Sequence, residues 1–121
     1  MQRERYAPKP YFPQAGLPFA TAEEAWFWFV QCFQARRAGA RIGAGRGETV
    51  RPCDPDDVLA AVNRLYRRRC LRREHLLVLS EYGERLLPPD GNRKGEAAAA
   101  RLWEEALDRL ACVLRSKGIV Q

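Results

Sequence analysis

Four stretches of this chain repeat their apolar residues with the period of a helix. In the first, Trp26, Phe29, Val30 and Phe33 fall at i, i+3, i+4 and i+7 and share one face. Thr21 and Glu24 make a capping box at its start, Glu23 adds negative charge there, and Gly39 after Arg36 and Arg37 supplies a stop. Phe27 and Trp28 lie outside the stripe, so the helix is apolar around most of its girth. Such a helix either forms the centre of the core or turns a spare face to a partner.

Asp54 as N-cap and Pro55 at the first helical position open a second helix, whose buried stripe is Val58, Leu59, Val62, Leu65 and Tyr66. Arg64, Arg67 and Arg68 group on another of its faces. A third helix runs from about Arg72 to Tyr82, burying Leu76, Leu79 and part of Leu77 or Val78, and stops at Gly83. Pro88, Pro89, Asp90 and Gly91 then make a turn. The last helix, from Arg93 or Glu96 to Lys117, carries Trp103, Leu107, Leu110 and Leu114 at spacings of four, three and four, with Ala106 and Val113 beside them. Glu105 and Arg109 form an exposed i, i+4 pair. Gly118 closes the helix, leaving Ile119 and Val120 to fold back or project.

Two segments break the periodicity. Residues 1–20 hold Pro8, Pro10, Pro13 and Pro18, which forbid a helix, and Tyr6, Tyr11, Phe12, Leu17 and Phe19 among them. This reads as an extended arm packed across the body or onto a partner. Residues 39–53 combine four glycines with Arg41, Arg46 and Arg51 in a Gly/Arg-rich loop or a short hairpin. The Gly43, Gly45, Gly47 spacing lacks the Gly-Lys-Ser/Thr ending of a phosphate loop. The expected architecture is mostly α: a single four-helix domain over residues 21–121, with a helix-turn-helix-like pair and the arm over residues 1–20.

Composition narrows this little further. At 121 residues, 46% hydrophobic and 30% charged, the chain is one globular domain. The longest apolar stretch, Ala25 to Val30, is too short to span a membrane, and the first residues resemble no secretory signal, which places the protein in the cytoplasm with no membrane partner.

Charge changes the picture more. The chain carries a net +6, and eighteen of its 21 basic residues are arginine. Arg64, Arg67, Arg68, Arg69, Arg72 and Arg73 lie within ten residues, where one helix ends and the next begins. Planar, multi-donor guanidinium groups suit phosphate oxygens, so the partner indicated is nucleic acid, duplex DNA first, with Arg41 and Arg46 as auxiliaries. Two plainer readings stand beside it. A GC-rich genome also favours arginine, and acids leading a helix with bases trailing it, as from Asp54, Asp56 and Asp57 to the arginines, suit the helix dipole.

Catalytic chemistry is thinly represented. The single histidine, His75, is either a general base or a surface or phosphate-contacting group. Ser80 and Ser116 are in no nucleophile context. Cys32, Cys53, Cys70 and Cys112 are isolated singletons, expected to be reduced, buried small hydrophobes rather than metal ligands. No enzyme, cofactor or metal is expected.

The stretch Leu71, Arg72, Arg73, Glu74, His75, Leu76, Leu77, Val78, Leu79, Ser80, Glu81, Tyr82, Gly83, Glu84 resembles the helix that opens region 4 of bacterial sigma factors. A similar segment occurs in phage late antiterminators of the Q type, and residues 93–118 correspond to the helix that ends such domains. The whole chain also looks like small bacterial proteins. The resemblance implies transcription-associated binding. The proline turn from Leu86 to Asn92 stands where that family places the first part of its reader motif, so no base-specificity residue carries over. Two functions follow as expectations. One is a DNA-binding or transcription-associated regulator using the arginine cluster. The other is a protein-interaction adaptor or oligomeric helical module that docks a partner, such as a transcription component, through Trp26, Trp28, Phe29 and the arm.

Overall fold

The computed structural model describes residues 16–39 and 50–121 and contains four helices: α1 (Ala22–Arg37), α2 (Pro55–Arg67), α3 (Arg73–Arg85) and α4 (Ala97–Ser116). Among the described residues there is no strand, only one isolated parallel bridge between Phe19 and Val120. Most of the proline arm and the Gly/Arg-rich loop, with Arg41 and Arg46, lie outside the described residues.

The first three helices begin at capping contacts. Thr21 Oγ1 accepts the Glu24 N–H at 3.1 Å, while Glu24 reaches back to the Ala20 N–H at 2.9 Å. Asp57 accepts the Asp54 N–H at 2.9 Å, and His75 Nδ1 accepts the Arg72 N–H at 3.0 Å. The proline turn before α4 is tied by Asp90 N–H donating to Glu96 and Asn92 N–H donating to Asp90.

All four helices end in a residue of left-handed conformation: Gly39, Arg69, Leu86 and Gly118, at φ 82°, 63°, 56° and 77°. In the last three, paired backbone bonds close the final turn, as when Cys70 N–H reaches Leu65 O at 2.8 Å and Arg69 N–H reaches Tyr66 O at 3.0 Å. Glycine supplies this conformation at the ends of α1 and α4, whereas α2 and α3 use an arginine and a leucine. The third helix therefore does not stop at Gly83 but continues one half-turn to Arg85.

Gly83 instead lets α1 and α3 approach. A Cβ there would sit 2.7 Å from Trp26 Nε1 and 3.1 Å from Val30 Cγ2. The same indole donates to the Leu79 carbonyl at 3.0 Å, so one side chain both fills the notch and satisfies its own polar atom. Helices α1 and α4 each pack against the other three. Helices α2 and α3 are joined by a short link, as in a helix-turn-helix, yet make their main contacts with α1 and α4 rather than with each other.

The core contains Val58, Ala61, Val62 and Leu65 of α2, Val78, Leu79 and Tyr82 of α3, and Trp103, Leu107, Leu110 and Leu114 of α4. Trp26 and Phe29 are buried within it, and Trp28 is half-buried with its ring 5.1 Å from that of Phe19. Packing against three helices consumes most of α1, so Trp26 and Phe29 serve the core. Phe33, placed in the stripe by spacing, is 40% exposed under the Arg37 guanidinium. Tyr66 and Leu77 also face outward.

Ile119 and Val120 fold back. Phe19 N–H donates to Ile119 O at 2.8 Å and Gln121 N–H to Phe19 O at 2.9 Å, and the fully buried Phe19 ring lies beneath Arg51 at 4.1 Å. Leu17 N–H donates to Val50 O, and a Cβ on Gly16 would strike the Arg51 carbonyl carbon at 2.6 Å. The end of the arm, the end of the loop and the carboxyl tail are thus knitted together. No helix among the described residues is long and apolar enough to cross a membrane.

Because the indole is walled in, Gly83→Ala should destabilise the fold by about 2 kcal/mol through overpacking, read as a lower denaturant midpoint. The same change in a Trp26→Phe background should cost less, since the atom it strikes is gone.

Candidate nucleic-acid interface

The link from Arg68 to Arg72 forms the corner between α2 and α3, and its two surfaces have opposite character. Beneath it, Leu71 and His75 are fully buried. Leu71 is pulled inward by the turn, its N–H reaching Leu65 O at 3.2 Å. Above it, Arg64, Arg67, Arg68, Arg69, Arg72 and Arg73 are all exposed. Arg72 leans toward Glu74 at 3.6 Å. Among the described residues the other five meet no carboxylate, whereas Arg36, Arg51, Arg85 and Arg93 pair with Asp56, Glu24, Glu81 and Glu96. The end of α2 and the start of α3 therefore place six predicted arginines on one corner.

His75 does not contact solvent, which corrects both the general-base and the phosphate-contact expectations. Its Nδ1 is occupied by the Arg72 N–H, so the ring proton resides on Nε2, which faces Glu105 Oε1 at 3.0 Å. Arg109 Nη1 lies 3.2 Å from the same nitrogen. Glu105 and Arg109 were expected to pair with each other across the helix surface; instead both converge on the imidazole. The hydrogen bond from His75, aided by the positive Arg109 and Arg72, holds the Glu105 carboxyl below the usual glutamate range. The result is a polar strut from α4 to the first turn of α3. It fixes the backbone that carries Arg72 and Arg73. Burial of the histidine was not legible from spacing, because its neighbours at i+3 and i+4 read as the stripe without it.

Arg69 carries a second signal. At φ 63° its Cβ crowds the following carbonyl, a cost of roughly 1–2 kcal/mol that glycine avoids. A large cation therefore occupies the position in the turn where glycine is easiest.

The remaining chemistry is structural. Cys53 is half-buried, and burial, with Asp57 and Asp54 adding, pushes its thiol up to about 12, far from thiolate reactivity. Cys32 is buried, but Cys70 and Cys112 are exposed, contrary to the expectation of four buried thiols; Cys70 rides the outward side of the turn. All four are free. Among the described residues no group of three His, Cys, Asp or Glu is placed to hold a metal ion. Asp54 and Asp57 cap α2, and Asp56 pairs with Arg36 at 3.2 Å.

Arg69→Gly should raise stability by about 0.5–1 kcal/mol, the relieved crowding being partly offset by glycine's freedom in the unfolded chain. Thermal unfolding checks it. The lowered Glu105 value means its charged form stabilises the fold above the ordinary glutamate range. That contribution fades as pH falls through the lowered value. Denaturant midpoints measured down the acid side should therefore decline less steeply in Glu105→Gln than in the wild-type chain.

Compared with protein-family models, curated proteins and solved structures, the chain matches none of them.

Proposed function

We propose that this protein is a small nucleic-acid-binding, transcription-associated regulator that holds phosphates on the α2–α3 corner. One observation carries the reading. Arg64, Arg67, Arg68, Arg69 and Arg73 are exposed on a single corner with no carboxylate partner among the described residues, while Arg36, Arg51, Arg85 and Arg93 are paired. Exposed unpaired cations at close quarters repel one another, and a polyanion that displaces their counterions relieves that repulsion. The likeness of residues 71–84 and 93–118 to sigma-factor region 4 supports a role in transcription. The adaptor reading rests on Trp26, Trp28 and Phe29, and the burial of Trp26 and Phe29 leaves it little surface to use.

Four arginines on duplex phosphates should give a log–log salt slope of roughly −3.6. Binding of labelled duplex DNA across a salt series should show that slope in the wild-type chain. It should flatten when Arg67, Arg68, Arg72 and Arg73 become alanine, with circular dichroism confirming that the variant remains folded. Absence of binding at low salt would sink the reading. Maleimide labelling of Cys70, the exposed thiol between Arg69 and Leu71, should slow when DNA is bound.

A further inference from the structure

The arginine corner carries an aromatic ring that the fold leaves unused. Tyr66 stands in the last turn of α2 and is 47% exposed. Nine aromatic side chains fall among the described residues, and eight of them contact another ring or a guanidinium. Phe19 meets Trp28 and Arg51, Trp26 meets Phe29, Phe27 and Tyr82 meet Trp103, and Phe33 lies between Phe29 and Arg37. Tyr66 alone has no such partner among them. Arg85 similarly covers Tyr82 at 5.0 Å, so guanidinium groups in this fold readily lie over rings. Yet no guanidinium among the described residues lies over the ring of Tyr66, although Arg67 and Arg69 share the turn that ends α2 with it.

Its placement relative to Arg69 is fixed by the backbone. The Tyr66 carbonyl accepts the Arg69 N–H at 3.0 Å, so the ring and the left-handed arginine belong to one closed turn. Arg67 follows it in sequence on the outward side of α2. An uncovered aromatic face beside unpaired cations is suited to a strand that offers phosphates and a free base face together. In a duplex the faces of the bases are covered by their neighbours, so only an unpaired stretch presents both.

We propose that Tyr66 is a stacking platform for an unpaired base and that the corner takes single-stranded nucleic acid in preference to duplex. This rests on the phosphate-binding reading of the same corner. The arginines hold the sugar-phosphate backbone without regard to sequence, and the Tyr66 ring adds an affinity that a duplex interior cannot supply. Stacking on one ring tolerates any base, so the preference is for strandedness rather than sequence.

The test compares a short labelled single strand with its duplex, using the full chain and the variants Tyr66→Ala and Tyr66→Phe beside the four-arginine variant. A 2-aminopurine placed in the single strand reports stacking by loss of fluorescence. The wild-type chain should bind the single strand more tightly. Tyr66→Ala should weaken that binding roughly tenfold and abolish the quenching, with its unfolding midpoint and salt slope unchanged. Tyr66→Phe should keep both affinity and quenching. Wild-type binding by Tyr66→Ala, or tighter binding of duplex by the wild-type chain, would overturn the Tyr66 assignment and leave the phosphate reading standing. If the four-arginine variant binds like the wild-type chain, the phosphate reading itself fails. Failure to bind either ligand at low salt defeats both.

Discussion

The indole of Trp26 sits where a side chain on residue 83 would be, and its N–H ends on the Leu79 carbonyl one turn earlier in the same helix. This contact brings α1 against α3 at an approach for which a glycine is required. It also places α1 at the centre, where the helix can be apolar around most of its girth without exposing that surface. The Phe27 and Tyr82 rings then meet Trp103 from either helix, at 5.5 and 6.4 Å, so α4 is registered against the same pair. Trp103 satisfies its own N–H on Glu23 at 2.8 Å. Two tryptophans thus define the helix crossings, each with its one polar atom paired.

The arginine corner inherits its rigidity from that frame. Helices α2 and α3 barely touch, so the short link between them is held by what lies under it: Leu71 in the core and His75 strutted to α4 through Glu105. A fully buried imidazole must have both nitrogens satisfied, and here one accepts a backbone N–H while the other faces a carboxylate. With the underside occupied in this way, the charged side chains of the link have only the outward side available. The separation of apolar and cationic residues at the corner is therefore a packing outcome as much as a charge pattern.

The two non-glycine residues in left-handed conformation differ in setting. Arg69 and Leu86 end α2 and α3 in the same way, but Arg69 lies in the middle of the cationic turn and Leu86 at the start of the proline turn. A fold selected for stability alone has no reason to refuse glycine at either position. At Arg69 the left-handed position carries an exposed cation; for Leu86 the structure supplies no reason.

How much of this was written in the sequence follows from the range of each interaction. Caps and apolar periods are local, so Thr21, Asp54–Pro55 and the Trp103–Leu114 stripe place three of the four helices by themselves. Glycine at residues 39 and 118 likewise marks two helix ends. The arginine cluster was legible because the residues are neighbours in sequence and a helix end keeps them together. What sequence could not decide was any interaction made across the fold. Gly83 reads as a stop until Trp26 is seen to need its space. His75 reads as a surface base until α4 closes over it, and Phe33 and Tyr66 read as core until the limited width of the helix contacts leaves them outside. The sequence alone determined which residues are helical and where the cations gather, because backbone caps and 3.6-residue periodicity act within a few residues. Only the tertiary structure decided which rings and polar groups are buried, because that depends on the volume and hydrogen-bonding groups that distant helices bring to each site.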